Sequence, residues 1–217
     1  MLGGYAMDEV LQNMDEEKKN RIINSAIEEF ARYPFSKAST NNIVKNAGIS
    51  KGLLFHYFGS KQELYEYVRG FVIRKLFTEV SSRIDWENND IFERIKQITL
   101  VKMKLSTQYP QLFTFASNMM LNESLSFTTA TELYREYGVD IQEYLTRVYT
   151  HNIDYSRFRE PEKIDKYVNI IGWTIEKFAD TLFQRYQAET DMDVLWQQAE
   201  SINEYIDILK RAFYAEP

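Results

Sequence analysis

The sequence predicts an all-α fold, and three observations carry that expectation. Only four Pro and eight Gly occur among 217 residues, few for an all-β chain and suited to long helices. Apolar residues recur three and four positions apart through most of the chain. No segment shows the strict alternation of a half-buried strand. Cys is absent, so there is no disulfide, no zinc-thiolate site and no cysteine nucleophile.

The helices follow in order from their punctuation. Asp15 is a predicted N-cap, and Glu16 and Glu17 suit the positive end of a helix dipole. Ile22, Ile23, Ala26, Ile27 and Phe30 then recur at helical spacing, and Pro34 stops the helix. Ser39 caps a second, short helix to about Ala47, and Gly48 ends it. Ser50 caps a third through about Tyr57, and Gly59 turns the chain. Ser60 and Glu63 have capping-box spacing and start a long fourth helix to about Ile84. Ile91 to Gln108 reads as one helix, broken near Pro110, and Leu112 to Asn122 as another. A longer helix is expected over 126–151 with a kink at Gly138. Pro161 stands at a first-turn position. From there Ile164, Val168, Ile171, Ile175, Phe178, Leu182 and Tyr186 form one apolar seam. Asp191 caps the last helix, whose seam is Leu195, Ala199, Ile202, Ile206, Leu209 and Phe213. These elements divide into an N-terminal three-helix domain at 15–62 and a larger helical domain at 63–217. The long fourth helix joins them without a Gly/Ser linker.

Charge is distributed unevenly. The chain carries a formal net charge of −6, yet residues 30–62 hold five basic side chains and no acidic one. That is +5 on the segment and −11 on the remainder. A basic patch on an acidic body is an electrostatic footprint for nucleic acid. No apolar run reaches the ~18 residues of a membrane span. The start "MLGGYAMDEV" lacks the basic flank and apolar core of a signal peptide, so a cytoplasmic protein without a membrane partner is expected. Neither His56 nor His151 belongs to a metal-binding spacing, and no phosphate loop or catalytic triad spacing occurs. No metal, cofactor or enzyme activity is expected.

Two short helices joined by a tight turn containing Gly have the geometry of a helix-turn-helix. The second helix of that motif enters the DNA major groove. Acid beside phosphate would repel it, and base gains by releasing counterions, which accounts for the segment without Asp or Glu. The residues "STNNIV" followed by "AGISKGLLFHYFGSKQEL" resemble the N-terminal domain of the TetR family of transcriptional regulators, over about Lys18 to Val68.

The resemblance implies DNA contacts from Ser39, Thr40, Ser50, Lys51, Gly52, Leu53, His56, Tyr57 and Lys61. Lys51 has the donors for guanine and Leu53 the methyls for thymine. Gly52 permits close backbone approach. His56, one turn later, reaches a base or a phosphate, and Tyr57 falls where relatives use a polar aromatic on phosphate. The hydroxyls of Ser39, Thr40 and Ser50 cap, bond phosphate or both. Lys61 sits beside the free N–H groups that start the fourth helix. Leu54 and Phe58 are expected in the core, and Phe55, where many relatives place Tyr, is expected to pack. The resemblance further implies a homodimer through the last two helices, double-stranded DNA with an inverted-repeat operator, and a small apolar effector. Phe113, Met119, Tyr134, Trp173 and Phe178 are candidate effector contacts, with Trp173 beside Gly172 the most suggestive. The expected function is a regulator, a repressor released by its ligand. The alternative is a relative that binds protein partners and does not read DNA.

Overall fold

A computed structural model describes residues 11, 14–122, 127–186, 194, 197 and 200–215. Ten α-helices occur among them: α1 (Glu16–Arg32), α2 (Thr40–Ala47), α3 (Lys51–Phe58), α4 (Lys61–Ser81), α5 (Ile91–Gln108), α6 (Pro110–Asn122), α7 (Phe127–Glu136), α8 (Ile141–Thr150), α9 (Ile164–Tyr186) and α10 (Ile202–Phe213). No strand is present among the described residues; one isolated antiparallel bridge pairs Phe158 with Tyr214. The expected all-α class holds. Asp191, Leu195 and Ala199 lie outside the described residues, as do the side chains of Leu182 and Tyr186.

Two expectations change. The segment 126–151 is not one kinked helix. Gly138 takes a φ of +76° and separates α7 from α8, and Asp140 caps α8 by accepting from the Glu143 amide at 3.0 Å. The left-handed backbone that a glycine allows ends a helix more readily than it bends one. The Pro161 turn is a short 3₁₀ segment, Pro161–Lys163, which runs on into α9 at Ile164.

The chain forms two compact units. The first comprises 1–78, 109–123 and 137–139; the second comprises 79–108, 124–136 and 140–217. The first unit therefore extends past residue 62 along α4 and takes in α6. Its core joins Ile22, Ile23, Ile27 and Phe30 of α1, Ile43 of α2, Leu54 and Phe58 of α3, Leu64 and Val68 of α4 and Phe115 of α6. Each such side chain, fully buried, contributes about 1.5–3 kcal/mol. Phe30, Tyr65 and Phe115 meet with ring centroids 5.1–6.5 Å apart, and Phe35 joins the cluster through Tyr65.

The second unit is organised by one turn of α5. Asp90 precedes that helix, is buried, and accepts from the Phe92 amide at 3.0 Å and the Glu93 amide at 3.3 Å. The same carboxylate takes Tyr214 Oη at 3.0 Å, Arg157 at 3.0 Å and Lys210 at 2.9 Å. Burial alone raises the Asp90 carboxyl, but the bonds from Lys210, the Glu93 amide and Tyr214, with the Lys210 charge, outweigh it and hold the group below its ordinary value. Arg94 is fully buried. It donates to Val148 O at 3.1 Å and His151 O at 2.7 Å at the end of α8, to Trp86 O at 3.2 Å and to Asn88 O. Around this turn pack Ile91, Phe92, Ile95, Val148, Phe158, Ile171, Ile202 and Ile206.

Replacing Arg94 with Met leaves several buried carbonyls without a donor, at about 1–3 kcal/mol for each. Arg94→Met is expected to lose ~3 kcal/mol or more in urea unfolding, where Ile98→Val, a partly buried deletion of one methylene, loses about 1 kcal/mol. Asp90 gives a pH prediction. Its folded pKa is lowered, so its stabilisation is complete above the unfolded value of about 3.9 and disappears as pH falls through the folded value. Thermal melts across the acid range should therefore fall more steeply for wild type than for Asp90→Asn, which is less stable at neutral pH.

Candidate nucleic-acid interface

Helix α3 exists because its ends are closed and its inner face is apolar. Ser50 at the N-cap accepts from the Leu53 amide at 3.2 Å. Gly59 ends the helix with φ +66° and ψ −63°. Leu54 and Phe58, four residues apart, are buried as expected, and the Phe58 ring meets Tyr67 at 5.5 Å. Their burial turns Lys51, Gly52 and His56 outward, all three exposed, with Leu53, Phe55 and Tyr57 half-buried at the flanks. The Phe55 ring packs and carries the Lys51 ammonium 5.9 Å from its centroid. Gly48, with φ +66°, closes α2 and makes the turn into α3.

The start of α2 differs from expectation. Ser39 occupies the N-cap position but makes no side-chain capping bond. The carboxylate of Glu29, on α1, takes its place. It accepts from the Ser39 amide at 2.7 Å and from the Asn42 side chain at 3.3 Å. Glu29 is buried. Nothing in the local spacing points to it, because the carboxylate arrives from ten residues upstream through tertiary packing. Two further long-range bonds close helix ends here: Arg21 Nε donates to Ala47 O at 3.3 Å, and Asn118 Nδ2 to Ala31 O at 2.7 Å.

At the start of α4 half of the capping box forms. Ser60 Oγ accepts from the Glu63 amide at 3.1 Å and donates to the Glu63 carboxylate at 2.8 Å. The Ser60 amide bonds Phe58 O instead of the carboxylate. Lys61 does not lie free beside the helix start. Its ammonium donates to Phe35 O and sits 4.7 Å over the Phe35 ring. A lysine has three donors, so two remain.

Of the acids flanking the basic stretch, Glu29 is buried against α2, while Glu63 stays exposed and bonds Ser60. Arg32, Lys37, Lys45 and Lys51 are exposed, and none has an acidic partner among the described residues. Lys37, ahead of α2, and Lys45, on α2, add two exposed cations to this unit. Of the expected set, Ser39, Thr40, Ser50, Lys51, Gly52, Leu53, His56, Tyr57 and Lys61 all fall in the first unit, at the N-cap of α2, on α2, α3 and their turn, and at the first residue of α4.

The candidate effector contacts are divided between the two units. Phe113 and Met119 belong to α6 in the first unit, Met119 in its core. Tyr134, on α7 in the second unit, is half-buried, and burial pushes its hydroxyl up. Phe178 packs on the second core, its ring 5.7 Å from Tyr205. Trp173 is 65% exposed, and a Cβ on Gly172 would meet nothing within 4 Å, so Gly172 serves no close approach among the described residues. The seams of α9 and α10 are used inside the chain: Ile171, Ile202 and Ile206 are buried, with Val168, Ile175, Leu209 and Phe213 against them. Among the described residues of these two helices, the large apolar side chains left exposed are Ile170, Trp173, Tyr205 and Ile208.

Closing α3 at both ends predicts two measurable costs. Ser50→Ala should destabilise the chain by about 1 kcal/mol. Gly59→Ala should cost about 1–2 kcal/mol, because φ is positive there and the new Cβ meets the Glu63 carboxylate. Chemical denaturation of both variants checks the order.

Residues 22–68 match the family described as bacterial regulatory proteins, tetR family. A nucleoid occlusion factor, SlmA, from Marinomonas sp. is 24% identical over 100 residues, 46% of this chain and 50% of that protein. The transcriptional regulator RutR from Escherichia coli is 29% identical over 111 residues, 50% of this chain and 49% of that protein. The chain spans about half the length of these curated relatives. A TetR family transcriptional regulator from Chloroflexus aurantiacus shares the fold with a TM-score of 0.56 and 20% identity, over 96% of this chain and 98% of that one. With α2, the Gly48 turn and α3 arranged as described, the N-terminal domain of this chain belongs to the tetR family of bacterial regulatory proteins.

Proposed function

We propose that this protein is a sequence-specific DNA-binding transcriptional regulator that acts as a homodimeric repressor and is released by a small ligand. The observation that carries the proposal is the outward face of α3 and its surroundings. Lys37, Lys45 and Lys51 stand exposed there with no carboxylate paired to them among the described residues. Such a face gains affinity for phosphate by counterion release. Lys51, Gly52, Leu53 and His56 lie at the end and side of α3 that would meet base edges. Ser39, Thr40, Ser50, Tyr57 and Lys61 surround them at positions suited to phosphate. Lys61, already bonded to Phe35 O, would meet phosphate from a fixed position.

The dimer is supported by Ile170 and Trp173 on α9 and Tyr205 and Ile208 on α10, apolar side chains exposed on the last two helices. A two-fold pair would carry two α3 helices to two half-sites. A releasing ligand must favour the form that cannot bind DNA, by roughly 1–3 kcal/mol of coupling.

Selection of bound sequences from a random duplex pool, with the winner titrated at several salt concentrations, tests this. The expected result is an inverted repeat bound with a steep salt slope. Lys51→Ala should relax preference at one position of each half-site, at about 1–3 kcal/mol, while weakening other sequences little. No enrichment, with weak binding at every salt, would overturn the proposal and favour a regulator that works through protein partners.

A further inference from the structure

Glu29 is a carboxylate that the fold buries without a cation. It is 6% exposed, and no basic side chain pairs with it among the described residues. A buried carboxylate is costly to keep unless its oxygens are bonded. They take the Ser39 amide at 2.7 Å and the Asn42 side chain at 3.3 Å, both at the start of α2. From the same helix α1, Arg21 Nε closes the other end of α2 at Ala47 O. Helix α1 thus holds α2 at both ends, with an acid at the amide end and a base at the carbonyl end, the signs that a helix dipole favours.

The two serines that precede the helices of the motif show what this does. Ser39 and Ser50 both stand at an N-cap with extended backbone. Ser50 closes its own helix, its hydroxyl accepting from the Leu53 amide at 3.2 Å. The Ser39 hydroxyl makes no capping bond and has no partner among the described residues. The Asn42 amide that it would serve bonds Ser39 O instead. A capping hydroxyl is pinned against its own helix; one that does not cap turns to meet an acceptor from outside. Ser39 is only half-buried, and so open to one.

We propose that Glu29 is a positioning residue for DNA binding: it holds the start of α2 from inside the fold and so releases the Ser39 hydroxyl to donate to a DNA phosphate. The proposal rests on the DNA-binding part of the function proposed above.

Duplex titration and thermal melting of full-length Ser39→Ala, Glu29→Met, Glu29→Gln and the Glu29→Met/Ser39→Ala double variant test it, on the duplex selected from the random pool. Ser39→Ala removes no cap, so it should melt with wild type yet bind DNA about five- to tenfold more weakly. In Glu29→Met the Ser39 hydroxyl turns inward to cap, and a similar affinity is lost. Adding Ser39→Ala to Glu29→Met should then cost little further affinity but lower the melting temperature by about 2–4 °C. Glu29→Gln keeps an oxygen for the Ser39 amide and should retain binding. If only the charge of Glu29 mattered, Met and Gln would behave alike and both bind tighter. If it mattered only to stability, the two DNA losses would multiply. The proposal is overturned if those losses multiply, if Glu29→Met binds as Glu29→Gln does, or if Ser39→Ala melts as low as Ser50→Ala. Where Glu29→Met does not fold, the other two single variants decide it: weaker binding by Glu29→Gln, or a lowered melt in Ser39→Ala, overturns the proposal. Wild-type binding with multiplied losses sinks this inference alone; no duplex binding by wild type sinks the regulator and this role with it.

Discussion

Every helix end inside a fold leaves backbone groups that need a partner, and this chain meets that demand with side chains from distant segments. Glu29 serves the start of α2, Arg21 its end, and Asn118 the end of α1. Arg94, on α5, serves the end of α8. Each bond joins two elements while satisfying one, so the same atoms that complete a helix also fix where it sits. The helix-turn-helix is placed by three such bonds and an apolar core. In the second unit, one turn of α5 gathers the end of α8, the segment around Arg157 and the last helix.

The electrostatics of the first unit follow from this arrangement. Glu29 would be an acid at the edge of a basic face if it pointed outward. Buried against α2, it does structural work and leaves that face without negative charge. Glu63, by contrast, stays exposed and is held by Ser60. The basic residues gain no carboxylate partner in exchange among the described residues, and the Lys61 ammonium is tied to Phe35 O. A net acidic chain thereby presents a cationic surface in one place, where long-range attraction for phosphate is strongest.

The second unit shows the opposite economy of apolar surface. Its two longest seams, on α9 and α10, are spent on its own core, and Ile170, Trp173, Tyr205 and Ile208 remain outside. Around Asp90, charge is balanced within the unit by Arg157 and Lys210.

The sequence by itself determined the helical class, most helix boundaries and the helix-turn-helix, because these depend on local terms: apolar periodicity, caps such as Asp15 and Ser50, and glycines that take positive φ at 48 and 59. The inward position of Leu54 and Phe58 was legible for the same reason, from their four-residue spacing on a short helix. Tertiary structure decided what depends on approach from elsewhere. Ser39 lost its cap to Glu29, and Lys61 bonded a carbonyl 26 residues upstream. The apolar seams of α9 and α10 turned to their own core instead of standing free, and Trp173 came to the surface. Periodicity says that a face will be buried but not against what. Only packing assigns each seam its partner.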